Sequence, residues 1–397
     1  MNRLFLHLSV FVSKLLQQRK QQRDFKRLDA FVKSEIEYID ALPLPKGNPI
    51  GGTMIVKCDD IGDFLLWQQV IPAIKEHAEK PITFVGNIAI KPLVETWFDF
   101  ADHYVWIEKP LWESEAYRST IYAKIRKMMV NVAFTPLFTR NFRLDDMIVY
   151  ASLAENKSAW NRKHHPYFPG LSAADPLTTR AISSDVPLEL EYFRHIEFIE
   201  RFYGVSIEHK VEPLFPNFSK QNRLVIFPAA NTRSRWWHYR NYAQLIKRLA
   251  PHFDSIILLG GANAAAYAHK IELAANEPKL RNLCTQTSLT DLMPFIGESS
   301  VLVCPDTSAM HFGVLTATDT VVLSNGNNWQ RFANYAPHVK SGFTLLFPPH
   351  FKPDPNRVKR LYSSAEIQAI TVTQVEEAVL AHLAKGKASS GVNSPAV

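Results

Sequence analysis

Two stretches of the chain alternate short apolar runs with helix-like patterns, and this alternation constrains the fold more than any other feature. The first stretch begins with the apolar run 53–58, which ends in a turn at residues 59–63. The second begins at residues 223–228 and extends through the run 320–323. Alternating strands and helices form parallel sheets that bind ligands at the carboxyl ends of their strands. The sequence therefore predicts an α/β fold with two such sheets and a cleft between them.

Composition supports two globular domains and excludes several classes of protein. The chain has 397 residues, of which 46% are hydrophobic and 21% are charged, and this length suits about two average domains. Its three cysteines show no C-x-x-C spacing, so we predict a reducing compartment and no zinc site. We predict an N-terminal helix and linker at residues 1–48, followed by two domains at residues 49–215 and 216–350. A helical segment at residues 351–384 and a disordered tail at residues 385–397 complete the chain.

Positive charge is concentrated at the N-terminus. Residues 1–35 contain eight Lys/Arg and three Asp/Glu, whereas the rest of the chain is close to neutral, which argues against nucleic acid as the main partner. Residues 1–16 are apolar but too short to cross a bilayer. Two interpretations stay open: an amphipathic helix on an anionic membrane surface, or a helix packed on the protein's own body. The first predicts a cytoplasmic protein at the inner face of the membrane.

A strand-to-helix turn near residue 306 is the strongest site signal in the sequence. An apolar run ends at Pro305, and Asp306 and Thr307 come directly before a helix-like pattern. We predict that Asp306 caps this helix and that the free N–H groups from Thr307 to Ala309 form an anion site. An ordinary capped turn is the alternative interpretation.

The turn at residues 59–63 offers a second kind of chemical group. Gly62 lets the backbone turn tightly after a buried strand, so that Asp63 lies in the first turn of the next helix. A carboxylate there can accept a proton from a hydroxyl nucleophile. It can also simply cap the helix, and both roles stay open.

A basic loop follows the first predicted strand of the second stretch. Within residues 228–237, the amide of Asn231 and the hydroxyl of Thr232 lie beside Arg235. A planar guanidinium forms paired hydrogen bonds with phosphate oxygens, so we predict that Arg235 contacts a diphosphate. A solvated basic loop is the alternative interpretation.

Two more polar turns follow strands of this stretch. Gly261 and Asn263 belong to the first, and Asn325 and Trp329 belong to the second. We predict that both turns border the ligand site, and surface loops are the alternative. The sequence contains none of the common metal, P-loop or nucleophile-elbow spacings, so we predict chemistry that needs no metal ion.

Taken in order, these segments resemble the heptosyltransferase family of bacterial lipopolysaccharide synthesis, glycosyltransferase family nine. The family's R-x-D-x-I-G-D motif corresponds to residues 57–63, and its segment with K-R-W corresponds to residues 228–245. Its T-S-L-x-E-L segment corresponds to residues 287–296, and its N-D-[ST]-G-x-x-H motif to residues 305–311. The similarity covers most of residues 53–384.

The resemblance implies the GT-B architecture, with the acceptor bound to the first Rossmann-like domain and a nucleotide-sugar bound to the second. It also implies transfer with inversion and without a metal ion or other cofactor. Asp63 matches the family's catalytic base, and Arg235 matches its cation on the donor phosphates. The predicted donor site comprises Asn231, Thr232, Arg235, Asp306, Thr307, Ser308, Ala309 and His311, with Gly62, Gly261, Asn263, Asn325 and Trp329 in the surrounding loops.

The chain departs from the family's pattern at three places. Ser308 stands where the family has glycine, and residues 262–266 lack the acidic residue that the family places after its Gly-Gly turn, so the donor nucleotide stays open. Residues 110–190 match poorly, so the acceptor stays open as well. We predict a glycosyltransferase that extends lipopolysaccharide core or another glycan or lipid-linked saccharide. The alternatives are an epimerase of the same fold and a non-catalytic nucleotide-sugar-binding or membrane scaffold protein.

Overall fold

The computed structural model describes residues 2–185, 190–327, 329–339, 342–352 and 364–390, and it describes side chains from residue 19 onward, apart from those of residues 364, 365 and 386–390. These residues form two six-stranded sheets, one in each half of the chain. Every neighbouring pair of strands in both sheets is parallel.

The first half of the chain forms the first sheet and the helices around it. Its strands are β1 (Thr53–Lys57), β2 (Ile82–Asn87), β3 (His103–Ile107), β4 (Val132–Thr135), β5 (Asn156–Trp160) and β6 (Arg180–Ile182). Its helices are α1 (Asn2–Ala41), α2 (Ile61–Trp67), α3 (Ile71–His77), α4 (Lys91–Trp97), α5 (Glu115–Met128), α6 (Asp145–Ala151) and α7 (Glu191–Tyr203). All residues of β1 and β2 are buried, as expected for strands covered on both faces.

The second half repeats this plan. Its strands are β7 (Gln221–Ile226), β8 (Ser255–Leu258), β9 (Leu280–Asn282), β10 (Ser299–Pro305), β11 (Asp319–Leu323) and β12 (Phe343–Leu346). Its helices are α8 (Tyr239–Leu249), α9 (Ala265–Ala275), α10 (Leu292–Gly297), α11 (Ser308–Leu315), α12 (Trp329–Phe332), α13 (Ser364–Ile367) and α14 (Val372–Ser390).

The two sheets share one strand order. The order is β3-β2-β1-β4-β5-β6 in the first and β12-β11-β10-β7-β8-β9 in the second, so the chain changes direction between β1 and β4 and between β7 and β10. Ligands of open α/β sheets bind at this change of direction, beyond the carboxyl ends of the strands. The predicted α/β architecture of two Rossmann-like domains is confirmed, and the loops after β1, β7 and β10 are where the topology places a site.

The two halves pack directly on each other. Buried apolar side chains of α2 and β2 belong to the same hydrophobic cluster as those of α10 and α11, including Leu65, Phe84, Ile296, Met310 and Phe312. Because this shared core lies behind the facing loops, it fixes the distance between the loops of one half and those of the other.

The C-terminal half of α1 packs on the protein's own body. Leu28, Val32 and Ile39 are buried, and the buried Glu35 carboxylate accepts a hydrogen bond of 2.6 Å from Arg118 Nε. The side chains of residues 1–16, to which the two interpretations apply, lie outside the described ones. None of the helices described for the chain is long and apolar enough to cross a membrane.

The C-terminal end differs from the predicted boundaries. Helix α14 continues to Ser390, so the residues from 385 to 390 are helical rather than disordered. Residues 391–397, and residues 353–363 of the predicted helical segment, lie outside the described residues. The helix therefore extends farther into the polar tail than the composition predicts.

Candidate active site

A cavity of about 520 Å³ lies between the two sheets, where the loops after β1, β2, β7 and β10 meet. It is open to solvent and brings together side chains from both halves of the chain. Its lining residues are Asp60, Ile61, Gly62, Asp63, Asn87, Ala89, Asn231, Thr232, Arg235, Asp306, Thr307, Ser308, Met310, His311 and Phe332.

Asp63 provides the carboxylate on the side of the first domain. It lies in the first turn of α2, which begins two residues earlier at Ile61. The pKa of Asp63 is raised to about 7, mainly by burial and also by the nearby carboxylate of Asp59, while the ammonium group of Lys57 opposes the shift. A carboxylate with a pKa close to neutral pH is suited to accept a proton from a hydroxyl group.

A buried lysine lies beneath this carboxylate. Lys57 is the last residue of β1, is fully buried, and places Nζ 2.5 Å from Asp59 Oδ2. Burial raises the pKa of Asp59 to about 6 even though Lys57 lowers it. Sequence analysis missed Lys57, although a lysine at the end of an otherwise apolar strand was the available signal.

Further hydrogen bonds hold the loop after β1. The backbone N–H of Cys58 donates to Asp145 Oδ1 at 2.7 Å, and Asn87 Nδ2 donates to the carbonyl oxygen of Asp59 at 3.0 Å. Lys109 Nζ lies 2.7 Å from Asp60 Oδ1 at the solvent side. The start of α2 is thereby fixed from three directions.

The second domain contributes a cation and a buried acid. Arg235 Nη1 donates to the carbonyl oxygen of Asp306 at 2.9 Å and lies 3.7 Å from Asp306 Oδ1. Asp306 is only 3% exposed, and its Oδ2 has no hydrogen-bond partner among the described residues. Burial raises the pKa of Asp306, and the guanidinium of Arg235 opposes this shift.

Asp306 does not cap α11, contrary to the prediction. The residue at the N-cap position is Thr307, and no side chain accepts a hydrogen bond from the first turn. Helix α11 starts one residue later than predicted, and the Asp306 side chain is instead buried beside Arg235. The N–H groups of the first turn of α11 thus have no side-chain cap, and such groups can bind an anion.

The two domains touch at the entrance of α2. A Cβ atom on Gly62 would lie 3.3 Å from His311 Cδ2, so the backbone of the first domain directly contacts a side chain of the second. His311 Nδ1 lies 2.8 Å from the hydroxyl oxygen of Tyr335. Burial lowers the pKa of His311 to about 3, so its imidazole is neutral near pH 7.

A second link between the domains lies beside the cavity. Arg331 of α12 donates from Nη2 and Nε to Glu191 Oε2, at 2.7 and 2.9 Å. Its Nη1 donates to Thr139 Oγ1 at 3.0 Å. All three groups are mostly buried or half-buried, and sequence analysis missed Glu191 and Thr139 because they lie far from Arg331 in the chain.

Five residues that the sequence placed at or around the site do not line this cavity, and one of them, Ala309, is fully buried. Gly261 and Asn263 lie on the exposed turn after β8. Asn325 Nδ2 donates to the carbonyl oxygen of Ser234 at 3.3 Å and so supports the basic loop. Trp329 packs on Phe347, with ring centroids 5.6 Å apart. The turn of residues 324–329 also includes Asn328, which lies outside the described residues.

No group of three or more His, Cys, Asp or Glu side chains that suits a metal ion occurs among the described residues. Beside the cavity, Lys57 pairs with Asp59 on one side and Arg235 contacts Asp306 on the other. Proton transfer on one side and binding of an anion on the other are what this arrangement can do chemically.

Comparisons with known proteins give one sequence match and several structural ones. Residues 203–371 match the family model of glycosyltransferase family 9 (heptosyltransferase). A comparison with curated protein sequences gave no match.

Three solved structures are similar in fold. The E. coli ADP-heptose lipopolysaccharide heptosyltransferase II is 14% identical, with a TM-score of 0.64 and coverage of 84% of this chain and 99% of that one. A family 9 glycosyl transferase from Veillonella parvula is 12% identical, with a TM-score of 0.66 over 87% of this chain and 99% of that one. The E. coli heptosyltransferase WaaC with ADP is 13% identical, with a TM-score of 0.64 over 83% and 99%.

Proposed function

We propose that this chain is a divergent member of glycosyltransferase family 9 (heptosyltransferase). In the proposed reaction, it moves a heptose or similar sugar from a nucleotide-diphosphate donor to a hydroxyl group of a cell-envelope glycan such as lipopolysaccharide core. The transfer inverts the configuration at the anomeric carbon and needs no metal ion. One observation carries the proposal: Asp63 of the first domain and Arg235 of the second line one cavity from opposite sheets. Inverting transfer needs a base and an anion site on opposite sides of the anomeric carbon.

Asp63 is the proposed general base. As the acceptor oxygen bonds to the anomeric carbon, its proton passes to the Asp63 carboxylate. A pKa of about 7 leaves about half of the enzyme with an ionised base at neutral pH. The same pKa makes the carboxylate basic enough to hold the proton once the bond has formed.

Arg235 and the first turn of α11 are the proposed site for the leaving group. The bond from the anomeric carbon to the diphosphate oxygen breaks with its electron pair on the diphosphate, so negative charge grows there. The guanidinium and the N–H groups of residues Thr307, Ser308 and Ala309 stabilise that charge without reorganisation. Asn231 and Thr232 line the same side of the cavity and supply polar contacts to the donor.

The donor nucleotide is the least determined part of this proposal. One structural neighbour is named for ADP-heptose and another holds ADP, so ADP-sugars are the first donors to test. A calorimetric screen of ADP-, GDP-, UDP- and TDP-sugars would identify the nucleotide class. Binding of none of them would contradict the assignment of a donor site.

We also propose that the N-terminal part of α1 contacts the anionic inner face of the cytoplasmic membrane. Its C-terminal half is anchored on the protein, and the residues just before that anchor include exposed cations at Arg19, Lys20, Arg23 and Lys26. Basic side chains near a membrane surface each contribute about 1 kcal/mol of attraction. Deletion of residues 2–26, which removes these cations together with the apolar segment before them, should release the protein from anionic vesicles and leave binding of the donor unchanged.

Substitution of the proposed base tests the mechanism. Asp63→Asn should lower kcat by about a hundredfold or more, because general-base catalysis contributes about 10² to 10⁴ in rate, while the Kd for the donor stays within about twofold. Asp29→Asn, a surface position paired with Lys33 on α1, is the matched control and should keep the wild-type rate. Transfer at the wild-type rate by the Asp63→Asn protein would show that Asp63 is not the base.

Two further measurements address stereochemistry and the metal ion. The anomeric configuration of the product, read from its proton coupling by NMR, should be opposite to that of the donor. Activity should persist after treatment with EDTA. Retention of configuration or loss of activity with EDTA would each contradict the corresponding part of the proposal.

A further inference from the structure

A second cavity, of about 620 Å³, lies between α1 and the loops that follow β4 and β5. The function proposed above makes no use of it. Helix α1 contributes one side, and the loop of residues 139–143 contributes the other. Its lining residues are Asp24, Arg27, Leu28, Thr139, Arg140, Asn141, Phe142, Arg143, His165 and Phe168.

Only some of the arginine side chains on the wall of this cavity are paired with carboxylates. Arg140 is buried and fully engaged, since Nε donates to Asp146 Oδ1 at 2.9 Å and Nη1 donates to the carbonyl oxygen of Trp160 at 3.1 Å. Arg27 and Arg143, by contrast, have no carboxylate partner among the side chains that the structure describes. Asp24 is the single acid on the wall, so the cavity carries a surplus of positive charge.

The position of Arg143 is well defined although it lacks an ion pair. Its Cζ atom lies 4.5 Å from the centroid of the Phe31 ring on α1. This cation–π contact orients the guanidinium without using its N–H donors, which stay available for a ligand. Arg27 projects from the same helix, four residues before Phe31, and is exposed.

Aromatic rings form the apolar part of the cavity. The rings of Phe142 and His165 have centroids 5.1 Å apart, and those of His165 and Phe168 have centroids 5.3 Å apart. Burial lowers the pKa of His165 to about 4, so this ring is neutral and adds no charge. Apolar walls with a few convergent polar groups are typical of sites for small organic ligands.

Two contacts of Arg331 link this cavity to the proposed active site. Thr139 lines the second cavity, and its hydroxyl oxygen accepts a hydrogen bond from Arg331. Arg331 in turn lies over the ring of Phe332, with Cζ 4.8 Å from the centroid, and Phe332 lines the first cavity. A continuous chain of side-chain contacts therefore connects the walls of the two cavities.

From these contacts we infer that the cavity beside α1 binds an anionic sugar of the acceptor glycan, with its phosphate or carboxylate on Arg27 and Arg143 and its ring against Phe142 and Phe168. The inference rests on the proposed function, because it takes the ligand to be part of the acceptor. It gives α1 a role in recognition in addition to its packing on the first domain.

Binding of simple anionic sugars tests this inference without any transfer reaction. Glucose 6-phosphate and glucuronate are titrated into the full chain by calorimetry, so that the phosphate and the carboxylate are compared directly. Arg27→Ala and Arg143→Ala should each weaken binding of the preferred sugar by about tenfold, the usual effect of losing one charge-assisted hydrogen bond. Arg23→Ala, an exposed cation on the same helix that does not line the cavity, should leave binding unchanged.

Several outcomes would overturn the inference. Equal affinity for inorganic phosphate and glucose 6-phosphate would mean an anion site without sugar recognition. Loss of binding in Arg235→Ala, with no effect of Arg27→Ala or Arg143→Ala, would place the sugar phosphate in the first cavity. Arg143→Lys, which keeps the charge and the contact with Phe31, should bind more tightly than Arg143→Ala and so separates loss of charge from loss of folding.

Failure of this inference and failure of the proposed function give different results. If the chain transfers a sugar but the arginine substitutions change neither binding nor the KM for the acceptor, only the inference is wrong. If no donor supports transfer but glucose 6-phosphate still binds through Arg27 and Arg143, the cavity is a real site and the proposed reaction is wrong.

Discussion

Lys57→Met should change the pH dependence of the enzyme more than its maximal rate. Lys57 is the buried cation that opposes the upward shift in the pKa of Asp63, which is about 7. An opposite charge within reach of a carboxylate lowers its pKa by about one to three units. Because Asp59 is the nearer partner of Lys57, we take the lower end, so that the pKa of Asp63 in the variant rises to about 8.

The size of the effect follows from the ionised fraction of the base. At pH 7 about half of the wild-type Asp63 carboxyl group is ionised, compared with about a tenth in the variant, so kcat/KM should fall by about fivefold. Above about pH 9 both proteins have an ionised base, and their rates should converge.

The assay is kcat/KM measured from pH 5.5 to 9.5, with the acid limb fitted for each protein. Lys91→Met, an exposed lysine paired with Glu95, is the matched control and should keep the wild-type profile. Asp59→Asn added to Lys57→Met removes a neighbouring carboxylate and should move the acid limb back toward lower pH. An acid limb that does not move in Lys57→Met, or a loss of equal size at every pH, would refute the reasoning.

The same substitution has a consequence for stability. Breaking a buried ion pair typically costs about 3–5 kcal/mol, because the remaining charge is left without a partner. In the variant that charge is on Asp59, whose pKa is already raised to about 6 in the wild type and rises further without Lys57. A raised acid pKa destabilises the folded state fully above that pKa, and the penalty falls as the pH drops from the folded-state pKa toward the unfolded-state value of about 4. The loss in the free energy of unfolding should therefore be largest near pH 8 and smaller near pH 5.

Three further predictions concern other contacts. Glu35→Ala should lower the free energy of unfolding by about 3 kcal/mol, measured by urea denaturation, because the buried Arg118 guanidinium loses its carboxylate; an unchanged midpoint would mean that α1 is not held by this pair. Arg331→Met and Glu191→Gln, combined in a double-mutant cycle, should show a coupling energy of about 2 kcal/mol, and additive effects would show that the link between the domains is weak. Arg235→Ala should raise the Kd for the donor by about tenfold or more, and an unchanged Kd would remove it from the phosphate site.

Much of the fold and part of the site follow from local sequence patterns. The apolar runs and the turns between them predict both parallel sheets, and the family model of glycosyltransferase family 9 matches residues 203–371 of the chain. Gly62 and Asp63, together with Arg235 and all residues from Asp306 to His311 except Ala309, line one cavity in the structure. The ends of strands can be predicted from the sequence because buried strands need continuous apolar residues, whereas tight turns need turn-forming residues such as glycine. The roles assigned to these residues stay predictions.

The positions of helix ends and of buried charges were decided by the tertiary structure. Asp306 follows a strand and precedes a helix, which is the pattern of a cap, yet its side chain turns inward to Arg235 because a cation from a distant loop lies there. Likewise, the charges of residues 1–35 are compatible with either a membrane or a protein surface, and the partner of Glu35 on α5 determines where the later part of α1 packs.

What the sequence determined by itself is therefore the alternation of strands and helices, since it depends on the apolar spacing within each segment. What only the tertiary structure decided are the pairings across long separations: Lys57 beneath Asp63, Arg331 with Glu191, and α1 beside the loop after β4. Such pairings depend on desolvation and on distances between segments, and neither quantity is encoded in local spacing.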